Sequence, residues 1–254
     1  MIVVGDGLAG LETVLVLHER GVAGISKQSA WMTALAADGL NVMAIDVCGV
    51  GETRLQSQGE DSEGYEGLLL GAEAQWARRA LNVGLSLLGL RVFSVLRTLE
   101  YLRTRWEAQA DNLSIAGVGR GALWGLYAAA LDRGVARVAA LRGLASYKCL
   151  IEHRRYNHHF SVFLPGCLRE FDLPHVAACL APRPLALINT VNQRKERCEA
   201  AVLHRGPERA ALGYVGHEPG LYLELGAAQN LELFATLYGL SEPARRAREA
   251  LDRV

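Results

Sequence analysis

Short apolar runs alternate with longer segments of helical pattern along the chain. Continuous apolar runs predict buried strands at residues 1–4, 40–46, 113–116, 135–141, 184–189 and 211–216. Apolar positions at helical spacing, or runs of small residues, predict helices at residues 8–18, 29–38, 92–106, 122–131, 221–237 and 244–251. Strands that alternate with helices are typical of a mostly parallel central sheet with helices on both faces, so the predicted fold class is α/β.

Two segments interrupt this alternation. Residues 49–67 are glycine-rich, acidic and polar, which predicts a long surface loop of the kind that is often functional. Residues 145–171 are irregular and rich in histidine, arginine and aromatic side chains. The sequence contains no internal repeat and no linker, so we expect residues 1–254 to form a single domain.

Composition narrows the class of protein. Half of the 254 residues are hydrophobic and 21% are charged, which favours a packed core over disorder. The formal net charge is zero, so no overall field attracts nucleic acid or an anionic membrane. No apolar run reaches the ~20 residues of a membrane span, and no signal peptide is visible. Five cysteines without a C-x-x-C pair indicate reduced thiols, so we expect a cytoplasmic protein.

Residues 112–131 carry the most information about function. An apolar strand segment is followed by a glycine-dense turn, with Gly117, Gly119 and Gly121, and then by a helix of small residues. A strand, a sharp turn and a helix with glycines on both sides of the bend form the frame that presents the catalytic nucleophile in α/β-hydrolases. The middle position of that frame carries the nucleophile, and here it is Gly119, which has no side chain.

Further segments strengthen this resemblance. Together with the glycine-dense bend, they are residues 42–53, 171–174, 180–185 and Gly216–His217. In order and spacing the chain resembles an α/β-hydrolase of the bacterial acetyl-xylan-esterase and dienelactone-hydrolase group, from about residue 1 to residue 240. The resemblance implies an α/β-hydrolase-like sheet from which the usual N-terminal strands are missing, because the chain begins at what would be the family's third strand.

The family implies a Ser, Asp, His triad in chain order. Carried over position by position, the nucleophile falls on Gly119, the acid on Asn192 and the base on His217, so only the histidine is retained. Loss of the carboxylate alone lowers the rate of a serine protease by about 10⁴-fold. We therefore expect no ordinary serine-esterase activity; any hydrolysis would rest on His217 activating water, with Glu196 or Glu199 available to orient it.

An oxyanion hole needs only backbone donors and could persist without the nucleophile. By the resemblance, these donors are the N–H of Arg120, after the bend, and those of the loop after the first strand, Gly5, Asp6 and Gly7. Cys48, Ser146 and Cys149 are candidate replacement nucleophiles, although buried or incidental roles are favoured for each of them.

The densest polar cluster contains His153, His158 and His159 together with Arg154 and Arg155. Its spacing does not match a helical metal site, so neither a metal nor a cofactor is expected. The arginines could bind a carboxylate or a sugar acid. A solvated loop is the favoured interpretation.

A rival interpretation comes from the N-terminus. Gly5, Gly7 and Gly10 match G-x-G-x-x-G after a predicted strand and at a predicted helix start, which is the pattern of an FAD- or NAD-binding oxidoreductase. The pattern also requires a second strand that ends in an acidic residue, and residues 22–28 provide neither. The favoured hypothesis remains a hydrolase with a degenerate triad, or a non-catalytic relative, that takes a small ester, acid or sugar. Whether it forms a homo-oligomer is left open.

Overall fold

The computed structural model describes residues 2–4, 12–26, 29–54, 65–105, 113–198, 212–215, 242 and 244–245. The strands are β1 Ile2–Val4, β2 Thr13–His18, β3 Asn41–Ala44, β4 Leu113–Val118, β5 Arg137–Leu141, β6 Leu185–Ile188 and β7 Leu212–Val215. The helices are α1 Val22–Ser26, α2 Ser29–Ala37, α3 Tyr65–Leu70, α4 Ala72–Asn82, α5 Leu87–Arg105, α6 Arg120–Leu131, α7 Lys148–Glu152 and α8 Leu173–Ala178. Short 3₁₀ turns lie at Gly51–Thr53, Phe160–Val162 and Cys167–Arg169.

The strands form one sheet in the order β1-β3-β2-β4-β5-β6-β7. Within the described ranges, β1 pairs antiparallel with β3, and every other neighbouring pair is parallel. The mostly parallel sheet predicted from the sequence is confirmed. Because parallel strands share a direction, their carboxyl ends meet at one edge of the sheet, where such folds place their binding sites.

Helices cover both faces of the sheet. On β2, Val14 faces a core cluster that includes Ile25 of α1 and Met32 of α2. The next residue, Leu15, faces the larger cluster, which includes Trp124 of α6 and apolar residues of α5 and α8. This alternation buries the strand on both sides, as is usual for a parallel sheet covered by helices.

The helix predicted over residues 8–18 is wrong, because residues 13–18 form strand β2. All six residues of β2 are buried, so its side chains show no alternation of apolar and polar character. A short apolar run of this kind fits a buried helix and a central strand equally well.

The same strand removes the dinucleotide interpretation. The phosphate-binding glycines of that fingerprint must open a helix inside a parallel β-α-β unit. Here β1 is antiparallel to its neighbour, and a strand begins at Thr13. The residues between them are too few for a crossover helix, and residues 5–11 themselves lie outside the described ranges.

The remaining boundaries agree closely with the pattern, with some additions. Helix α5 begins five residues before its predicted start, and the irregular segment at residues 145–171 contains α7. Helices α3 and α4 fall largely where the pattern makes no prediction. The predicted helix at residues 221–237 lies outside the described residues, and of the last predicted helix only Ala244 and Arg245 are described, as helical. Among the described helices none could cross a membrane alone, and only the pair Gly67–Asn82 and Leu87–Thr104, bent by 91°, has the necessary length and composition together.

Helix α6 lies directly on the backbone of β2. A side chain at Gly121 would overlap the carbonyl oxygen of Leu17, and one at Gly117 would overlap the first turn of α6. The two outer glycines of the bend are therefore required by close approach of backbones rather than by flexibility.

We expect Gly121→Ala to lower the free energy of unfolding by about 1–3 kcal/mol, because a methyl group must be accommodated against a main-chain oxygen. Gly89→Ala in α5 is the matched control, since its new methyl group would approach only the hydroxyl of Ser86 and alanine favours a helix. Urea unfolding of both variants measures the difference. Equal midpoints would contradict tight packing of α6 on β2.

Candidate active site

The bend predicted at Gly119 is present. Strand β4 ends at Val118, helix α6 begins at Arg120, and Gly119 alone connects them with φ 62° and ψ −123°. Glycine adopts this conformation without steric cost, whereas another residue would be strained by about 1–3 kcal/mol. The sharp strand-to-helix bend expected from the sequence is therefore formed around a residue without a side chain.

A cleft of about 510 Å³ lies at this bend, at the carboxyl ends of β2, β4, β5 and β6. Its apolar lining consists of Val118, Leu123, Leu141, Leu144, Val162, Ile188 and Val191. Its charged and polar lining consists of His18, Glu19, Arg20, Arg120, Arg142, His158, Asn189 and Lys195. An apolar chamber with a few polar groups is the usual form of a small-molecule site.

The polar lining is strongly cationic, with four basic side chains and one carboxylate. Three of the lining residues also have left-handed backbones, namely Arg142 (φ 53°), Asn189 (φ 49°) and Lys195 (φ 65°). Such conformations cost free energy outside glycine and cluster at functional sites. Among the described non-glycine residues the only other positive φ belongs to Glu242, so the strain is concentrated at this cleft.

Glu19, which immediately follows β2, occupies the space beside the bare bend. A Cβ atom at position 119 would lie 2.7 Å from both Cδ and Oε2 of Glu19. The Glu19 carboxylate is 3.8 Å from Nε of Arg120, and its side chain is 32% exposed. A carboxylate therefore stands where a side chain at position 119 would begin.

Two histidines of the cleft are held by the backbone. Nδ1 of His18 accepts the N–H of Arg20 (3.1 Å), and Nε2 of His158 donates to the carbonyl oxygen of Asn192 (2.8 Å). Burial lowers the pKa of both imidazoles. Both are therefore neutral at pH 7, and each uses one ring nitrogen to hold its loop.

Asn192 follows β6, as the resemblance requires of the triad acid, but its side chain is engaged locally. Its Oδ1 accepts the N–H groups of Arg194 (2.8 Å) and Glu196 (3.1 Å), and its Nδ2 donates to Oε2 of Glu196 (3.0 Å). It is not among the side chains that line the cleft. Asn192 closes a turn in the structure, and His217 lies outside the described residues.

Of the backbone donors predicted for the oxyanion hole, the structure describes Arg120 only. Arg120 is the first residue of α6, where backbone N–H groups have no intrahelical partner. Gly5, Asp6 and Gly7 lie outside the described residues, and β1 runs antiparallel, so it ends at the opposite edge of the sheet from Gly119. The structure thus gives no support for these three donors; the loop after β2 is the one beside the bend.

The candidate replacement nucleophiles do not line the cleft. Ser146 donates its hydroxyl hydrogen to Asp172, which also caps helix α8. Burial raises the pKa of Cys149 to about 11, so its reactive thiolate is scarce at neutral pH. Cys48 contributes its carbonyl oxygen to Arg91 (3.1 Å). The structural roles favoured from the sequence fit these contacts.

The cluster at residues 153–159 is divided in the structure. His158 enters the cleft, His153 contacts the carbonyl oxygen of Cys149 (3.0 Å), and His159 faces Glu73 (3.6 Å). Arg154 and Arg155 are exposed. In the part of the chain that the structure describes, no three His, Cys, Asp or Glu side chains come together as metal ligands would.

A buried ionic cluster supports the bend from behind. Oε1 of Glu73 accepts from Nη1 of Arg91 (2.7 Å), from Nη1 of Arg120 and from the hydroxyl of Ser161 (2.5 Å). Burial alone would raise the pKa of Glu73, but the charges of Arg120 and Arg91 outweigh it and hold that pKa well below its ordinary value. Burial, with the nearby charge of Arg120, lowers the pKa of His159 to about 4. His159, which also contacts Glu73, is therefore neutral at pH 7.

No protein-family model matches the chain. It is 25% identical over 169 residues to the protein named "Putative hydrolase YtaP" of Bacillus subtilis (strain 168), and the match covers 66% of this chain and 52% of that protein. The chain thus spans about half the length of this curated relative. Among solved structures it is similar to a protein of Bacteroides fragilis NCTC 9343 described as a "putative acetyl xylan esterase", with a TM-score of 0.61 and 15% identity over 84% of this chain and 60% of that one. It is also similar to an acetyl xylan esterase of Paenibacillus sp. R4, with a TM-score of 0.51 and 18% identity over 92% and 76%.

The chain has the α/β-hydrolase fold. The resemblance noted in the sequence is confirmed at this level. The assignment of Gly119 to the nucleophile position stays a prediction of that resemblance. Sequence reasoning missed Glu19, because residues 13–18 were predicted as a helix. The available signal was the apolar run followed by His18-Glu-Arg-Gly21, at the point where hydrolase-fold enzymes carry the loop of their oxyanion hole.

We expect Glu73→Gln to lower the free energy of unfolding at pH 7 by about 3 kcal/mol, because two buried guanidinium groups lose their counter-charge. Glu100→Gln, in the exposed pair with Arg97, is the control and should change it by less than about 0.5 kcal/mol. The folded pKa of Glu73 lies below the unfolded value of about 4.3, so its stabilisation is complete above that pH and is lost as the pH falls towards the folded pKa. Unfolding measured between pH 7 and pH 3 should show this loss in the wild type and not in Glu73→Gln.

Proposed function

We propose that the protein is an esterase-type hydrolase-fold protein whose cleft binds a small ester or carboxylic acid without forming an acyl-serine intermediate. The observation that carries the proposal is Gly119, which completes the bend of the fold and has no atom to acylate. A glycine in this place rules out covalent catalysis from the bend itself.

The lining of the cleft supports an ester or acid as the ligand. Its apolar wall suits a short acyl chain, and Arg20, Arg142 and Lys195 suit a carboxylate or a polarised carbonyl. From the sequence, His217 and the backbone N–H of Arg120 are the groups left to act on such a ligand. A cleft that binds it without turnover would make the protein a non-catalytic relative of the esterases.

Whether the protein reacts through a serine nucleophile can be tested directly. We expect a fluorophosphonate probe to leave the wild type unlabelled and to label Gly119→Ser/Asn192→Asp, in which the nucleophile and the acid are restored. Aspartate at position 192 can still accept the two N–H groups that now hold the turn. Gly119→Ala/Asn192→Asp is the matched control and should stay unlabelled.

Labelling is read by intact mass, and the labelled peptide is identified after digestion. A labelled serine in the wild type would overturn the proposal. Failure to label the folded double variant would contradict the alignment of positions 119 and 192 with the family triad.

The cationic lining predicts how the cleft binds an anion. We expect Arg142→Ala and Lys195→Ala each to weaken the binding of butyrate about tenfold, since a hydrogen bond to a charged group contributes about 1.5 kcal/mol. Lys148→Ala is the control, because Lys148 is paired with Glu152 on α7 and does not line the cleft. Titration calorimetry at low salt measures the affinities. Equal affinities in all three variants would contradict this role of the lining.

A further inference from the structure

We infer that Glu19 is the catalytic general base of this cleft, its carboxylate taking the place left by the missing side chain at position 119. This inference rests on the proposed function, because it assumes that an ester enters the cleft. It assigns to one residue of this chain the deprotonation of water, which the sequence alone assigned to His217.

The first support is the exclusion of volume between the two positions. A Cβ atom on Gly119 would lie 2.7 Å from Cδ and from Oε2 of Glu19, and 3.1 Å from its Cγ. Any side chain at position 119 would therefore force the Glu19 carboxylate away. Under the proposed function, glycine at the bend has two effects. It provides no nucleophile, and it leaves room for the Glu19 carboxylate.

The second support is the sheet itself. Strands β2 and β4 pair in register, with His18 opposite Val118, so Glu19 and Gly119 are the next residues on two adjacent strands. The carboxylate thus comes from the neighbouring strand end and reaches the same point of the cleft. Its position follows from strand pairing rather than from a mobile loop.

The third support is the way Glu19 is held. Nη2 of Arg120 donates to the carbonyl oxygen of Glu19 (3.0 Å), and Nε of the same guanidinium lies 3.8 Å from its carboxylate. Glu73 and Ser161 fix this guanidinium from behind. The buried ionic cluster therefore holds Glu19 by a hydrogen bond to its main chain and by a longer ion pair to its carboxylate.

The other candidates in the cleft are weaker bases. His18 accepts the N–H of Arg20 at Nδ1, so in the neutral ring Nε2 carries the hydrogen and no nitrogen is free to take a proton. His158 is buried and donates to Asn192. Glu19 is the one carboxylate among the described side chains that line the cleft, and at 32% exposure it contacts both solvent and cleft.

The reaction then proceeds by direct attack of water. The Glu19 carboxylate takes a proton from a water molecule, whose oxygen forms a bond to the acyl carbon while the carbonyl electron pair moves onto its oxygen. The backbone N–H of Arg120 is the donor placed to stabilise that oxyanion. When the intermediate collapses, the ester C–O bond breaks and the leaving oxygen takes the proton back from Glu19, which gives one alcohol and one acid for each water consumed.

Hydrolysis of 4-nitrophenyl acetate tests this role. We expect Glu19→Gln to lower kcat at least 100-fold with KM within about twofold, because the amide keeps the size of the side chain but cannot take a proton. Glu152→Gln, exposed at the end of α7, is the matched control and should keep the wild-type rate. Gly119→Ala should lose as much activity as Glu19→Gln, and the double variant should lose no more than either, because both changes remove the same group.

Two further readouts separate catalysis from a structural ion pair with Arg120. The pH profile of kcat in the wild type should fall on its acid side as Glu19 is protonated, and Glu19→Gln should lack that limb. The titratable or charged groups around Glu19 are His18, Arg20, Arg120, Arg142, His158, His159 and Lys195. Added formate should restore part of the activity of Glu19→Ala, which a structural role would not produce.

A rate in Glu19→Gln within twofold of Glu152→Gln would overturn the inference. So would a wild-type rate no higher than that of buffer, or an acid limb lost in His217→Ala and kept in Glu19→Gln. In each of these cases an unlabelled wild type and butyrate binding would leave the proposed function standing. Labelling of a serine in the wild type by the fluorophosphonate would instead contradict the proposed function. Failure of the Glu19 inference and failure of the proposed function therefore give different results.

Discussion

Strands β2 and β4 run side by side in register, so the chain leaves both of them at the same level of the sheet. Helix α6 then rests on the backbone of β2 at Gly121, which prevents the two departing segments from separating. Glu19 and Gly119 consequently share one small volume. The rest of the cleft is arranged around this close approach, because the other lining residues belong to the first turn of α6, to the ends of the central strands or to the loops that follow them.

The ionic cluster behind the bend connects parts of the chain that are distant in sequence. Glu73 comes from α4, Arg91 from α5, Arg120 from α6 and Ser161 from a 3₁₀ turn. Buried charges of this kind add less net stability than apolar side chains of equal volume, because their desolvation offsets much of their attraction. Their effect here is geometric. They fix the guanidinium of Arg120, the first residue of α6, which lines the cleft.

The sequence predicts those parts of the fold in which local pattern and tertiary structure agree. The bend at Gly119 is such a part, because an apolar strand, a glycine turn and a helix of small residues all lie within twenty positions. Strand β2 is the opposite case, because a strand that is buried on both faces loses the alternation that would identify it.

The contents of the site were harder to predict for a related reason. Glu19 and Gly119 are one hundred positions apart, and only the strand register brings them together. Asn192 was placed correctly after β6, but its local hydrogen bonds could not be read from its position in the chain. His217 lies outside the described residues.

The backbone conformation of Gly119 also bears on how such a protein could arise. In an enzyme with a nucleophile at this place, the residue would carry a steric cost that only its activity justifies. Under the proposed function, glycine at this place avoids that cost, because it adopts the left-handed backbone conformation without strain. A catalytic scaffold can thus shed its attacking group and become more stable in the same step, which is the familiar trade-off between stability and activity. The same step leaves the vacated space open to a side chain from the neighbouring strand.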